Sequence, residues 1–161
     1  MEYRDLYDKN RVLTGEKIKK GDPVPKGRYY VTVAVFIENS KHEFLLQINK
    51  KFNMWSTTGG HPKSGESSLD GILIEMEEEL GYKANPDQIH IIKTYQSEDD
   101  FVDLYYYQED IDLSKLNLQD EEVANVGWFS REKIEEFIEN HLFLPPHIEF
   151  YRDCLAYLDM Q

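Results

Sequence analysis

The chain has 161 residues, of which 40% are hydrophobic and 13% aromatic, and its formal net charge is −13. This length suffices for a sizeable core, the aromatic content argues against a disordered chain, and we expect residues 1–161 to form a single domain. Strong negative charge without a basic stripe excludes long nucleic acid as a partner. A small phosphorylated ligand stays compatible, because a bound cation and a few Lys or Arg side chains can meet its charge locally.

Cysteine usage and the N-terminus bear on where the protein works. The only cysteine, Cys154, has no intramolecular disulfide partner, and its apolar neighbours predict a packed, structural thiol. The charged N-terminus lacks the apolar core of a signal peptide, and no segment approaches the roughly 18 apolar residues of a membrane span. We therefore expect a cytoplasmic protein without a membrane partner. The oligomeric state stays open, a homodimer included.

The first third of the chain alternates between strand-like segments and turns. "YRDLYD" and "RVLTGEKIKK" flank Lys9-Asn10 and predict a hairpin over residues 1–20. "RYYVTVAVFIE" and "EFLLQIN" are rich in β-branched and aromatic residues, and they predict two paired, buried strands near 28–38 and 43–49.

The rest of the chain predicts three helices and three further strands. A helix over residues 68–80 precedes the strands "IHIIKTYQ", "FVDLYYYQEDI" and a part of "DEEVANVGWFS". Ser130 caps the helix "REKIEEFIEN", and "PPHIEFYRDCLAYLDM" predicts a last helix with Pro in its first turn. This order indicates an α/β or α+β fold with a mixed sheet covered by helices.

The helix over 68–80 carries signals at both ends. Ser67 or Ser68 suits the N-cap, Asp70 stands in capping-box position to Ser67, and Gly81 suits the left-handed position after the last turn. At about 100° per residue, one arc of the helix is predicted to face the core. Its members are Leu69, Leu73, Met76 and Leu80.

A second face of this helix concentrates negative charge. Glu75, Glu78 and Glu79 lie within about 100° of one another, whereas Glu77 points away. Like charges at this spacing destabilise a helix by roughly 0.2–0.5 kcal/mol per pair, so a compensating partner is expected. Mg²⁺ or Mn²⁺ suits carboxylate oxygens and shares its coordination with substrate phosphates. The alternative is a solvated acidic face, which is the usual meaning of a Glu run.

Residues 60–82 resemble the Nudix box, in which a Gly, a Glu and the run Arg-Glu-apolar-x-Glu-Glu-x-Gly-apolar occur at fixed spacing. The residues in register are Gly60, Glu66, Glu75, Met76, Glu78, Glu79, Gly81 and Tyr82. Only the arginine position departs, and Ile74 occupies it. The N-terminal part, "DLYDKNRVLTGEKIKKGDPVPKGRYYVTVAVFI", is similar to the branch that includes type I isopentenyl diphosphate isomerase and its hydrolase-like bacterial relatives.

The resemblance implies a single Nudix domain, an α/β/α sandwich whose mixed sheet is flanked by helices. It implies Mg²⁺- or Mn²⁺-dependent attack of water on a diphosphate linkage, in a small molecule of the nucleoside diphosphate-X type. By resemblance, Glu75, Glu78 and Glu79 would hold the metal with the Gly60 carbonyl as a further ligand. Glu78 and Glu79 would also act in catalysis.

Residues outside the box supply further candidates. A Glu beyond the box sometimes serves the family as base or extra ligand, and Glu122 or its neighbour Glu121 suits that role; an exposed loop is the alternative. The cations that suit substrate phosphates, each more commonly a surface charge, are Arg28, Lys50, Lys51 and Lys63.

The isomerases are the nearest alternative within the resemblance. Their motif before the box carries a catalytic Cys, but "WSTTGGHP" has Gly59 and Gly60 in that region, and Cys154 lies far away in the last helix. Isomerase activity is therefore disfavoured. His61 matches the isomerase histidine and is a candidate for contact with metal or substrate, with a purely structural loop histidine as the alternative.

Ile74 divides the functional prediction. In the family the arginine here orients a box carboxylate, and Ile74 supplies neither charge nor hydrogen bonds one turn before Glu78. The sequence thus favours a working but slow hydrolase. The alternative is a catalytically weak Nudix domain that binds a nucleotide or a protein partner.

Aromatic side chains leave the identity of the substrate open. Alternating aromatics in strands either stack on a nucleobase or, more commonly, pack in the core. The residues in question are Tyr29, Tyr30, Phe101, Tyr105 and Tyr107.

Overall fold

The computed structural model describes residues 2–119 and 121–161. Met1, within the predicted hairpin range, and Asp120, the first residue of the segment "DEEVANVGWFS", lie outside the described residues. The elements in chain order are β1 (Tyr3–Tyr7), β2 (Leu13–Lys19), β3 (Tyr30–Glu38), β4 (Phe44–Asn49), β5 (Met54–Ser56), β6 (Thr58–Gly60), α1 (Ser68–Leu80), β7 (His90–Gln96), β8 (Asp100–Gln108), β9 (Val123–Phe129), α2 (Arg131–Glu139) and α3 (Pro145–Asp159). A single 3₁₀ turn (Leu113–Lys115) precedes β9.

β3 is the centre of a mixed sheet. It runs parallel to β8 over its whole length and antiparallel to β6, while β8 continues antiparallel to β7. β4 pairs antiparallel with β9 and β5. The predicted mixed sheet is confirmed. The predicted pairing of β3 with β4 is confined to Glu38 and Phe44, because β6 and β8 occupy the edges of β3 elsewhere.

The alternation of side chains along β3 creates two core layers. Val33 and Val35 face a layer with α1, whereas Ala34 and Phe36 face a layer with α2 and α3. Because both faces of the strand are covered, its sequence is continuously apolar rather than alternating. The sandwich of helices around a mixed sheet is therefore confirmed, and Cys154 is buried in the second layer.

α1 begins and ends where the sequence predicts. Ser67 caps it with a complete capping box to Asp70, and Gly81 adopts the left-handed conformation, with φ of 68°, at its end. The predicted core face is partly wrong, since Leu69 is 36% exposed and Ile72 is fully buried. The buried stripe runs i, i+4, i+8 from Ile72 through Met76 to Leu80, so Ile72 takes the place that the prediction gave to Leu69, while Met76 and Leu80 are buried as predicted.

The hairpin of β1 and β2 is antiparallel as predicted and docks against the domain. Tyr7 and Tyr29 exchange two backbone hydrogen bonds, of 2.8 and 2.9 Å. Further along, the Arg11 guanidinium donates to both carboxylate oxygens of Asp103 in β8, at 2.8 and 2.5 Å. These contacts fix the hairpin to the start of β3 and to the N-terminal half of β8.

The aromatic residues of β8 lie in the core. Phe101, Tyr105 and Tyr107 are 6%, 6% and 1% exposed, so they are unavailable for stacking on a base. Tyr29 packs on Phe101, and Tyr30 packs edge-on against the His61 ring. No helix in the described residues has the length and apolar character needed to cross a membrane.

Candidate active site

An open cavity of about 780 Å³ lies against α1, β6 and the hairpin. Four segments line it: the hairpin, the loop after β4, β6 with the loop that follows, and the segment before β9. Together with α1 they contribute Glu2, Arg4, Lys20, Asn49, Lys51, Gly59, Gly60, His61, Lys63, Glu75, Glu78, Gln119, Glu121 and Glu122. A second cavity of about 170 Å³ shares Gly60 and His61 with it and reaches Glu79.

Gly60 and Glu75 touch because β6 runs alongside the helix. Gly60 pairs with Val33 in the sheet, and a Cβ on Gly60 would lie 2.5 Å from the Glu75 carboxyl carbon. The carboxylate therefore packs directly on the backbone of Gly60, in space that any other residue would fill.

Gly60→Ala should force the Glu75 carboxylate out of place. We expect a loss of about 1 kcal/mol in the free energy of unfolding, at the low end for overpacking because the clashing atoms end a flexible side chain, measured by urea denaturation. In a Glu75→Ala background the same change should be nearly neutral, because the clashing group is gone. An equal loss in both backgrounds would show that the contact with Glu75 is not what requires glycine.

Glu79 is oriented by a chain of buried hydrogen bonds. Thr58 donates to the side-chain oxygen of Gln47 at 2.9 Å, and the Gln47 amide donates to Glu79 Oε1 at 2.9 Å. Glu79 is only 5% exposed, and its Oε2 is buried without a hydrogen-bond partner in the described residues. One oxygen is thus fixed and the other is left for a proton or a cation.

Burial and mutual repulsion raise the pKa of both carboxyl groups. Burial and then the Glu78 charge raise the pKa of Glu75 to about 7, and burial and then the Glu75 charge raise the pKa of Glu79 well above its usual range. Each of the two carboxyl groups therefore acts on the pKa of the other. A buried carboxylate with an unsatisfied oxygen, next to a half-buried carboxylate whose pKa is also raised, fits a hard divalent cation that neutralises both.

Glu78 stands apart from this pair. Its carboxylate lies 3.6 Å from Lys63 Nζ, with both side chains nearly half exposed. In residues 2–119 and 121–161, no three or more His, Cys, Asp or Glu side chains are grouped so as to hold a metal ion. The metal-binding role of the three glutamates stays a prediction: Glu75 and Glu78 line the larger cavity, whereas Glu79 lines the second one. An exposed ion pair contributes about 0–1 kcal/mol, so Glu78 can leave Lys63 at little cost. Glu77 is exposed, as predicted.

Comparison with known proteins places this geometry in a family. The family model described as the NUDIX domain matches residues 28–154. The chain belongs to the Nudix family. It is similar to a Nudix hydrolase of Listeria monocytogenes, with 31% identity over 151 residues, which cover 90% of this chain and 89% of that relative.

Solved structures share the Nudix fold. A crystal structure from Deinococcus radiodurans has a TM-score of 0.75 at 16% identity and covers 94% of this chain and 98% of its own. The Nudix domain of Shewanella oneidensis NrtR, cocrystallised with ADP ribose, has a TM-score of 0.65 at 15% identity, over 81% of this chain and 88% of its own. At these identities the likeness shows the fold.

Four of the remaining predicted site residues line the larger cavity. Glu121 and Glu122 line the cavity, and the Glu122 charge contributes to the raised pKa of both Glu75 and Glu79. Lys51 and Lys63 also line it.

Two predicted substrate cations lie elsewhere. Arg28 is not among the residues that line the cavity; its Nε donates to Glu16 of the hairpin at 2.6 Å. The backbone N–H of Lys50 donates to the Glu122 carbonyl, and Lys51 rather than Lys50 lines the cavity.

His61 lines both cavities in its neutral form. Burial and then the nearby Arg4 charge lower the pKa of His61 to about 4. Its Nδ1 lies 3.3 Å from both the Val31 carbonyl and the Thr32 hydroxyl. At neutral pH the ring therefore offers a hydrogen bond or a lone pair rather than a positive charge.

Three lining residues in and beside the hairpin strands were not predicted from the sequence: Glu2, Arg4 and Lys20. The sequence pattern that could have indicated them is the alternation of side chains along β1. Because Leu6 is buried, Arg4, two positions earlier, lies on the same inward face. That pattern predicts the inward face of a strand but does not say which part of the domain the face meets.

Proposed function

We propose that the protein is a Mg²⁺- or Mn²⁺-dependent hydrolase that cleaves a diphosphate linkage in a nucleoside diphosphate-X compound. The observation that carries this proposal is the placement of Glu75 against the Gly60 backbone beside Glu79, which is 5% exposed and has one oxygen buried without a hydrogen-bond partner in the described residues. Such a pair costs stability unless a cation occupies it. Membership of a family whose relatives are named hydrolases supports the reaction class.

The residues that line the cavity are proposed to have two roles, metal binding and phosphate binding. Glu75, Glu79 and the Gly60 carbonyl would hold the cation, and Glu78 would join them by giving up its ion pair with Lys63. The cation, when bound, neutralises the diphosphate and lowers the pKa of a bound water. Lys63 and Lys51 orient phosphate oxygens in the cavity.

Glu122 is the candidate base. It lines the cavity and its charge acts on both Glu75 and Glu79, which makes it the candidate to take a proton from a water in the same space. Glu121, which also lines the cavity, is the alternative. The ADP ribose bound to the Shewanella Nudix domain supports a nucleotide derivative as the substrate class.

Mg²⁺ should raise the melting temperature of the protein. At saturating metal we expect a rise of about 5 °C or more, because ligands that bind only the folded state stabilise it. Glu78→Gln should reduce the rise sharply. Glu77→Gln, which removes an exposed charge one residue away, should leave it intact. If Mg²⁺ has no effect on the unaltered protein, the metal site is refuted.

Turnover is tested separately with a panel of nucleoside diphosphate-X compounds and Mg²⁺ or Mn²⁺. Formation of the two phosphorylated products, dependent on metal and lost in Glu79→Gln, is the expected result. Binding of these compounds without any turnover would instead support the second candidate, a catalytically weak Nudix domain used for binding. The ion pair of Glu78 with Lys63 favours that candidate, because it leaves the three carboxylates unassembled.

Ile74→Arg tests whether a missing cation limits the rate. Ile74 is half-buried one turn before Glu78, where a guanidinium can reach that carboxylate and orient it. We expect kcat to rise by about tenfold, since such orienting partners are typically worth 10–100-fold. Ile74→Met, similar in size but uncharged, should give no rise. A rate unchanged by arginine would mean that other groups already orient Glu78.

A further inference from the structure

The N-terminal hairpin lies outside the residues that match the family, yet it forms one wall of the cavity. On one face of β1, Leu6 is 1% exposed, and Arg4 and the preceding Glu2 continue that face into the cavity. The Lys20 N–H donates to the Glu2 carbonyl at 2.9 Å, which brings Lys20 to the same wall.

This wall is held in place by the loop that precedes α1. The Ser64 N–H donates to the Tyr3 carbonyl at 2.8 Å, and the Ser64 hydroxyl donates to Asp5 at 2.6 Å. The second Asp5 oxygen accepts from the Gly65 N–H at 2.9 Å. The hairpin therefore has a fixed position relative to the loop between Gly60 and α1.

Arg4 differs from the other arginines of the chain. Among the described residues, each of the others pairs with a carboxylate, and Arg4 alone has no carboxylate within ion-pair distance. The paired arginines are Arg11, Arg28, Arg131 and Arg152. The Arg4 guanidinium lies 5.3 Å from the centre of the Tyr30 ring, and its Nε is buried without a hydrogen-bond partner in the described chain. A positioned, partly desolvated guanidinium without an anion is suited to receive one.

The position of Arg4 relates it to the carboxylate pair. Tyr30, under Arg4, lies 5.1 Å from the His61 ring, and His61 directly follows Gly60. Arg4 is thus connected, through Tyr30 and His61, to the part of the cavity where Gly60 contacts Glu75. None of the described residues that line the cavity is Phe, Tyr or Trp, so recognition there depends on charge and hydrogen bonds.

We propose that Arg4, assisted by Lys20, forms an anion subsite that binds a phosphate on group X of the substrate. The planar guanidinium fork matches two phosphate oxygens, and Lys20 adds a second charge from the same wall. This inference rests on the proposed function, because it concerns the group attached to the cleaved diphosphate. The substrate class it names is a nucleoside diphosphate-X in which X is itself phosphorylated rather than a neutral sugar.

The test compares two ligands that differ by one phosphate. Methylene-bridged ADP-ribose and its 1″-phosphate, which cannot be cleaved at the bridge, are titrated calorimetrically into the Mg²⁺-loaded protein. We expect the 1″-phosphate to bind about tenfold tighter or more, as one charge-assisted contact allows. Arg4→Gln should remove most of this preference while changing affinity for the unphosphorylated analogue less than about twofold. Lys20→Gln should remove part of it.

Lys19→Gln is the matched control. It removes the same charge from the neighbouring position of the hairpin, at an exposed residue that does not line the cavity. It should keep the preference. Equal affinity for the two analogues, no affinity for either, or an equal loss of preference in Lys19→Gln and Arg4→Gln would overturn the subsite.

Failure of the proposed hydrolysis has a different signature. Since the titration needs no turnover, a preserved preference for the 1″-phosphate in a protein that cleaves none of the unmodified compounds would refute the hydrolase and support the subsite. Active hydrolysis without any preference for the 1″-phosphate would support the hydrolase and refute the subsite.

Discussion

Glu79→Gln is expected to abolish metal-dependent hydrolysis and, in the same protein, to raise the stability of the metal-free state. Glu79 is 5% exposed and its Oε2 has no partner in the described residues, so its negative charge is buried at a cost that only a proton or a cation relieves. The amide keeps the shape and still accepts from Gln47 through its oxygen, but it loses the charge that holds the metal. We expect activity to fall by at least about 100-fold, since an oriented metal ligand is lost.

The stability gain should grow with pH. Because the folded pKa of Glu79 is raised above its value in the unfolded chain, the unfolded state ionises first as pH rises, and the metal-free protein loses stability above that lower pKa. Glu75, with a pKa of about 7, behaves in the same way. The difference in melting temperature between Glu79→Gln and the unaltered protein should therefore increase from pH 5 to pH 8 in the presence of a chelator.

Glu77→Gln is the control for this experiment, because Glu77 is exposed on the same helix. It should show neither the loss of activity nor the rising difference in stability. A Glu79→Gln protein that melts below the unaltered one at pH 8 without metal would contradict the assignment of a buried, uncompensated charge.

Asp103→Ala is expected to destabilise the protein more than any other single change considered above. Asp103 is 2% exposed and accepts hydrogen bonds from the two ends of the Arg11 guanidinium and from Thr94 and Ser68. These contacts join the hairpin, β7 and the first turn of α1 to one residue of β8. Removing the anion leaves Arg11 partly buried without a partner, and we expect a loss of about 3 kcal/mol in the free energy of unfolding.

Chemical denaturation measures this loss, and a second pair provides the comparison. Arg28 and Glu16 form an ion pair of similar length, 2.6 Å, between exposed side chains. Arg28→Ala should cost less than about 1 kcal/mol because solvent already screens that pair. If the two substitutions have similar effects, Asp103 does not join the three elements in the way its contacts indicate.

Local signals in the sequence predicted the elements well, and long-range contacts account for what they missed. Ser67, Asp70 and Gly81 determine the ends of α1 through backbone hydrogen bonds within a few residues, so the sequence alone suffices there. β5 and β6 are three residues each and exist because β4 and β3 pair with them, which no local pattern encodes.

The candidate site shows the same division. Helical periodicity predicted that Glu75 and Glu79 meet, because both belong to one helix. It could not predict that Glu78 pairs with Lys63, since Lys63 belongs to a loop whose path depends on contacts with the hairpin. The hairpin contribution to the cavity was missed for a similar reason, as the docking of Arg11 on Asp103 joins residues 92 positions apart.

The hairpin is attached to the rest of the chain by the burial of Leu6, the backbone hydrogen bonds of Tyr7 and the polar contacts of Asp5 and Arg11, and the carboxylate pair belongs to a different segment. The two proposals above therefore assign reaction chemistry and ligand choice to different segments of the protein. Substitutions on the hairpin wall can change which compound is accepted without disturbing the helix that carries Glu75 and Glu79. A redesign of ligand selectivity can therefore begin with substitutions at the cavity-lining positions of the hairpin, Glu2, Arg4 and Lys20.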